Sequence, residues 1–269
     1  MNLTRKLGVQ PGTTVKLKDC DPSDTLGHEN DEKTQAKQAK LVKRLDDLQY
    51  LLYAERKRAL LIVLQGMDAA GKDGTIRHVM AGINPQGCRV TSFKVPTPEE
   101  QAHDFLWRSH AAVPEKGMIG IFNRSYYEDV LVVRVHKLVP KKIWKARYEE
   151  INLFEKLLDE NDVRIVKFFL HIDKDEQKRR LEARITDPHK YWKVSAADFA
   201  ERKYWDDYTD AYEEAVTRCS TERAPWFVIP ANHKWFRDFA VTKILVEILE
   251  GFDMKLPQPA LDLSKLKWR

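Results

Sequence analysis

Cysteine is scarce in this chain and long apolar runs are missing, and each shortage removes a class of protein. The three cysteines, Cys20, Cys88 and Cys219, lie far apart and match no metal-ligand spacing. They read as free thiols of a reducing cytosol. The longest apolar runs, such as ALLIVL over 59–64, are too short to cross a bilayer, so no membrane partner is expected. The opening MNLTRKLGVQPG carries no apolar signal core, so export is not expected and the cytoplasm is the expected location. No H-E-x-x-H pair stands among the eight histidines and no serine sits in a G-x-S-x-G elbow, so hydrolase readings gain nothing. Internal repeats and low-complexity tracts are absent too.

What remains is an ordinary globular composition. The 269 residues can bury a sizeable core, and 43% hydrophobic with 32% charged residues suits a soluble protein. Seven tryptophans and nine tyrosines argue against disorder. The net charge of +5 suits an anionic partner without naming it: nucleic acid, acidic lipid and polyphosphates all qualify.

Along the chain, residues 1–31 are polar and turn-rich and read as an extended arm, followed by a Lys-rich amphipathic helix over 32–58. Strands are then expected at ALLIVLQ, CRVTSFK (88–94), MIGIF (118–122), RIVKFFLHI (164–172) and WFVIP (226–230). Helices are expected from the end of the first loop to about 82, over 97–110, 141–161, 173–185, 195–219 and 234–250. Residues 126–135 stay open between helix and strand, because VLVV favours strand by propensity. The alternation implies an α/β fold, a parallel sheet of about five strands covered by helices on both faces. Its ligands should bind beyond the carboxyl ends of the strands. One domain is expected over 32–255, with a tail over 256–269.

Three segments carry chemistry. QGMDAAGKDGT (65–75) is a G-x-x-x-x-G-K loop, whose backbone N–H groups and following helix can wrap a phosphate. Gly66, Ala69, Ala70, Gly71, Lys72, Asp73, Gly74 and Thr75 form the candidate cradle. Asp73 stands where a hydroxyl usually holds magnesium, and Asp68 places a second carboxylate inside the loop. The bland alternative is a glycine turn that precedes a lysine. FNRSYYEDVLVVRV (122–135) brings polar groups and the acids Glu128 and Asp129 to the end of the third strand; the alternative is a solvated turn. In EQKRRLEARITDPHKYWK (176–193), Gln177, Arg180 and Arg184 share one helix face ahead of Lys190 and Lys193; a solvated basic helix is the alternative.

With these segments in view, the sequence resembles polyphosphate kinase family 2 over nearly its whole length. The likeness rests on QGMDAAGKDG, PTPEE (96–100), IFNRSYYEDVLVVRV, HIDKDEQKRRLEAR (171–184), YWK (191–193) and APWFVIPANHKWFR (224–237). The resemblance implies a thymidylate-kinase-like P-loop core with a helical lid, about 178–200 here. It implies phosphoryl transfer between inorganic polyphosphate and nucleotides with magnesium, manganese being a substitute. An Asp in the loop and an Asp after the lysine belong to the family pattern. F-N-R-S followed by E-D, at Asn123, Arg124, Glu128 and Asp129, goes with acceptance of monophosphates, AMP through ADP to ATP, where F-D-R-S goes with diphosphates alone. Guanine nucleotides are further candidate acceptors, a homo-oligomer (dimer or tetramer) is implied, and nucleic acid is not an expected partner.

A nucleotide phosphate is already ionised near neutral pH, so transfer needs positioning and charge neutralisation more than a base. The expected catalytic set is Asp68, Lys72, Arg124, Asp129 and Arg180. Asp68 and Asp129 are the expected metal ligands with Glu128 beside them, because magnesium needs only one or two carboxylates plus phosphates. Lys72 and the backbone would hold the polyphosphate end. Arg124, Arg180 and Arg184 would meet the transferring group, and Lys193 would help the lid close. Arg77, Lys94 and Arg134 would line a path for the polyphosphate chain. The rivals are an ATP-dependent nucleoside monophosphate kinase and a non-catalytic nucleotide- or nucleic-acid-binding module.

Overall fold

Five strands alternate with helices, and all of them pair in parallel. The computed structural model describes residues 3–261; of the expected tail over 256–269, residues 262–269 lie outside them. The N-terminal stretch begins with the short helix α1 (Leu3–Leu7) and is laid against the body rather than projecting from it. Leu3 and Leu17 are buried, Val15 N donates to Thr217 Oγ1 at 3.0 Å, and Val9 N donates to the Trp226 carbonyl at 2.9 Å.

Helix α2 (Glu32–Glu55) starts at Asp31, whose carboxylate accepts from Thr34 N at 2.7 Å, and stops where Arg56 turns left-handed at φ 52°. Strand β1 (Ala59–Gln65) follows, wholly buried, and leads through the glycine loop into α3 (Lys72–Val79) and then β2 (Cys88–Ser92). The single helix expected over 97–110 is two, α4 (Pro98–Gln101) and α5 (Trp107–Ala111). The capping box of Thr97 and Glu100 does start the first. The break comes at Asp104, whose side chain accepts from Leu106 N at 2.9 Å and so offers the backbone an alternative to the helical ladder.

Strand β3 (Ile119–Asn123) runs into a 3₁₀ turn, Tyr126–Asp129, and then α6 (Val132–Val135), so the segment left open between helix and strand is helical. Two tyrosines decide it. Tyr126 and Tyr127 drop into the core and both donate to Glu155 Oε1, at 2.8 and 2.9 Å, while Ser125 caps the turn by accepting from Tyr127 N. Helix α7 (Lys141–Asp159), β4 (Val163–His171) and α8 (Lys174–Thr186) come next. The helix expected over 195–219 is divided by a 3₁₀ turn into α9 (Ala196–Glu201) and α10 (Trp205–Cys219); β5 (Trp226–Pro230) and α11 (Lys234–Glu250) follow.

The sheet order is β2-β3-β1-β4-β5, which puts β1 at the centre. Period-2 alternation sends Leu60, Ile62 and Leu64 toward a core shared with α2, α3 and α11. Leu61 and Val63 face the opposite core, shared with α7 and α10. Each wholly buried Leu or Val contributes about 1.5–3 kcal/mol, so the central strand is firmly held and the loop after it starts from a fixed point.

Candidate active site

At the carboxyl ends of β1, β3, β4 and β5 the chain turns into loops that meet in one crevice. After β1, Gly66, Ala69 and Gly71 take positive φ values of 155°, 62° and 108°. These turn the loop back on itself before α3 begins. Gly71 is needed for space as well: a Cβ there would collide with Nη1 of Arg237, and one on Gly74 would come within 3.2 Å of Nη2. Arg237, only 1% exposed, lies behind the loop and is fixed by Asp238 Oδ1, which accepts from its Nε at 2.8 Å.

The loop carbonyls are pulled back by named donors. Arg180 directs its guanidinium at Glu176 Oε1 (2.5 Å), at the carbonyls of Ala69 and Ala70 (2.9 and 2.7 Å), and at those of Ala231 and Asn232 (2.5 and 3.1 Å). Because a trans peptide is planar, a carbonyl held on one side turns the next N–H to the other. Arg180 is thus placed on the backbone of the loop rather than in the crevice. Burial, then Arg237 and Arg179, lower its pKa to about 10. Lys72 Nζ donates to the Gly66 and Met67 carbonyls at 2.7 and 3.3 Å. Burial first, then Arg124, push this lysine down to about 8, against the pull of Asp68, Glu128 and Asp73.

The loop and the start of α3 meet the end of β3 and its turn through Arg124 and Asn123. Arg124, left-handed at φ 62°, donates Nη2 to Asp68 Oδ1 at 2.8 Å and Nη1 to Glu128 Oε2 at 3.4 Å. Burial alone would lower its pKa, but the two carboxylates more than offset that and raise it. Asn123 Nδ2 donates to Asp73 Oδ1 at 2.7 Å. Asp129 turns the other way: Arg147 of α7 donates to its Oδ1 at 3.1 Å and to its carbonyl at 3.0 Å. Burial raises Asp129 to about 6, with Arg147 and Arg108 opposing.

The remaining expected residues are more scattered. Arg184 stays with the segment expected to be a lid, bonded to Asp198 and, at 3.2 Å, to the Lys193 carbonyl, while the Lys193 ammonium lies 4.9 Å from the Trp192 ring centre. Thr75 Oγ1 donates to the Gly71 carbonyl at 3.1 Å. Arg77 and Lys94 are exposed. Arg134, expected on the polyphosphate path, instead donates to Glu214 Oε2 at 2.7 Å and packs over Trp144, because α10 brings a carboxylate to it. The crevice itself encloses about 400 Å³, counting space open to solvent. Asp68, Arg124 and Glu128 form one wall, and Trp205, Tyr208 and Tyr212 of α10 form the other.

Comparison with known proteins fits this arrangement. The family model described as Polyphosphate kinase 2 matches residues 28–257. The chain belongs to the polyphosphate kinase 2 family. An AMP/ADP-polyphosphate phosphotransferase of Meiothermus ruber is 52% identical over 263 residues, covering 97% of this chain and 98% of that protein. An ADP-polyphosphate phosphotransferase of Rhodopseudomonas palustris is also 52% identical, over 81% of this chain and 79% of its own length. The crystal structure of a polyphosphate kinase 2 from Arthrobacter aurescens TC1 superposes with a TM-score of 0.94 at 45% identity, covering 98% of this chain and 94% of that one. The P-loop kinase-like fold of this family is therefore the fold of this chain. No helix among the described residues is long and apolar enough to cross a membrane.

Several residues that shape the site carried little signal in the sequence. Arg237 sits in HKWFR, which reads as packing with a snorkelling charge; its direct neighbour Asp238, of opposite charge between apolar residues, was the available clue. Gln65, wholly buried at the end of β1, donates to Glu128 Oε1 at 3.0 Å. Lys167 reads as a strand residue, yet its Nζ lies 2.5 Å from Glu155 Oε2 and 3.0 Å from the Tyr127 hydroxyl, beneath the turn that presents Glu128.

Proposed function

We propose that this chain transfers phosphoryl groups from inorganic polyphosphate to AMP and ADP, making ADP and ATP by in-line, magnesium-assisted transfer. The observation that carries the reading is the Asp68–Arg124–Glu128 cluster. One guanidinium is held between two carboxylates where the phosphate loop meets the turn after β3, facing the crevice. The near full-length likeness to a protein named for AMP, ADP and polyphosphate supports the same substrates here.

The donor set fits magnesium. Among the described residues no group of three His, Cys, Asp or Glu side chains is placed to hold a metal, but magnesium uses one or two carboxylates and takes its other oxygens from phosphate and water. Asp68 and Glu128 are half-buried beside the loop, and Gln65 Oε1, buried next to Glu128, has no hydrogen-bond partner among the described residues. Asp68 with Glu128, which line the crevice, would hold the ion beside Arg124; Asp129 does not line it and would join them only by turning from Arg147. Bound magnesium supplies charge neutralisation at the phosphate oxygens. Manganese can substitute.

The chain's own groups do the rest. The backbone N–H groups of Ala69, Gly71 and Lys72 and the Lys72 ammonium hold the terminal phosphates of the donor, while the Ala70 N–H closes the loop on the Met67 carbonyl at 3.0 Å and Arg180 and Arg237 fix the loop from behind. Arg124 faces the transferring group with the N–H groups its two acids leave free. The lid, about 178–200, excludes water. Guanine nucleotides as further acceptors and a homo-oligomeric assembly belong to the same proposal, on the resemblance alone.

The test is incubation with AMP and magnesium, with polyphosphate or ATP as donor, following ADP and ATP. Polyphosphate-dependent formation of both is expected. Transfer from ATP alone would replace this reading with a nucleoside monophosphate kinase, and binding without turnover would replace it with a non-catalytic module.

A further inference from the structure

The lid and the phosphate loop are joined through one buried side chain. Gln177, in the first turns of α8, is 4% exposed. Its Nε2 donates to the Asp68 carbonyl at 3.0 Å, and its Oε1 accepts from Arg202 Nη1 at 2.8 Å. Chemistry fixes the orientation of this amide. A carbonyl only accepts and a guanidinium only donates, so the NH₂ end must face the loop and the oxygen must face the lid. Arg202 directly follows α9, and its Nη1 also reaches the Lys174 carbonyl at 3.2 Å. The two hydrogen bonds polarise one amide away from bulk water, so each strengthens the other.

The loop side of the contact has a definite consequence. The Asp68 carbonyl and the Ala69 N–H share one planar trans peptide, so holding the oxygen toward α8 turns the N–H to the opposite side. Ala69 is left-handed at φ 62°, a conformation that needs support from its surroundings. We propose that Gln177 is a positioning residue that couples lid docking to the phosphate loop: when Arg202 is in place, the amide holds the Asp68–Ala69 peptide plane so that the Ala69 N–H faces the donor phosphate. The amide donates to the loop and accepts from the lid at once. Glutamate only accepts, and leucine does neither.

The kinetic consequence rests on the phosphotransferase reading, but the structural coupling does not, so the two are tested separately. Amide hydrogen exchange read by mass spectrometry follows the loop (64–71) and the lid (187–204) in the full chain without substrates. Gln177→Leu should speed exchange in both segments. Gln177→Glu, which still accepts from Arg202, should speed exchange in the loop alone. Arg202→Met, at a half-buried site and therefore informative even if Gln177→Leu fails to fold, should speed exchange in the lid and in the loop. In the phosphotransfer assay each variant should lose roughly tenfold or more in kcat with a smaller change in KM. Gln177→Leu combined with Arg202→Met should be no slower than Gln177→Leu alone. Loop exchange unchanged in Arg202→Met, or losses that multiply in the double variant, would overturn the coupling. Failure of the wild-type protein to use polyphosphate would touch the proposed reaction and leave the exchange result standing.

Discussion

Asn123 donates its Nδ2 to Asp73 Oδ1 across 2.7 Å, tying the end of β3 to the first turn of the helix that follows the glycine loop. This contact gives Asn123, the position that the resemblance ties to acceptor choice, a structural partner that the sequence did not reveal. It also splits the role of Asn123 into two parts that can be measured apart.

Asn123→Asp would set one carboxylate against another. A unit charge at about 4 Å interacts with about 4 kcal/mol at an effective dielectric near 20, enough to discriminate between acceptors. The rate with AMP should fall at least tenfold more than the rate with ADP. Asn123→Asp combined with Asp73→Asn restores a donor and an acceptor to the contact. If that pair also restores the AMP-to-ADP rate ratio under saturating polyphosphate, Asn123 works only by holding Asp73.

Under the proposed reaction Lys72→Met removes the charge that would meet the donor, so turnover should drop by roughly 10²-fold or more with the fold intact by circular dichroism. The wild-type protein should also lose kcat/KM for polyphosphate as pH rises through about 8, where Lys72 gives up its proton in the free enzyme. Lys72→Arg should remove that alkaline limb. The stability effect has the opposite direction: between about 8 and 10.5 the unfolded chain holds more protons at this lysine than the folded one, so its contribution to stability rises with pH there.

Asp68→Asn should cut the rate by roughly 10²-fold and raise the magnesium concentration needed for half-maximal rate, because a neutral amide is a weaker ligand. Glu128→Gln should do the same. Asp129→Asn separates the two placements of the second acid. A rightward shift in the magnesium titration makes Asp129 a ligand despite Arg147, whereas an unshifted titration leaves the pair Asp68 and Glu128. Burial raises Asp129 to about 6, so the folded chain holds more protons than the unfolded one between 3.8 and 6. The stabilisation from that bound proton is complete below the lower value and lost as pH rises through 6.

The buried pair of Lys167 and Glu155 should be far more sensitive to single changes than to paired ones. Lys167→Met leaves the Glu155 carboxylate, 2% exposed, with two tyrosine hydroxyls and no counter-charge. Removing one partner of such a pair costs about 3–5 kcal/mol. Adding Glu155→Gln, which still accepts from the tyrosines, should restore part of the loss. Urea unfolding of the single and double variants measures both.

Most strands and the long helices were legible because their signals are local: continuous apolar runs for buried parallel strands, and apolar residues at helical spacing for the helices. The glycine loop and the acids after β3 were legible for the same reason. The partners were not. Arg180 lies on a helix face that suggests solvent or phosphate, and only the loop after β5 reveals that Ala231 and Asn232 receive it. Arg134 resembles a free cation until α10 brings Glu214 to it from 80 positions away. The two helices within 97–110 depended on whether the Asp104 side chain or the helical ladder would claim the backbone, and propensity does not decide that.

The N-terminal stretch has an effect at the border of the sheet, well away from the crevice. β5 is an outer strand, and an uncovered outer strand presents a row of free N–H and C=O groups on which another chain can build. Gly8 makes an antiparallel bridge to Phe227 and Val9 N donates to the Trp226 carbonyl, while Ser220 Oγ anchors the stretch by donating to the Val9 carbonyl at 2.7 Å. The segment thus works as a selvedge for that side of the sheet. Deleting residues 1–16 should show first as self-association on warming, before any change in the chemistry at the centre of the molecule.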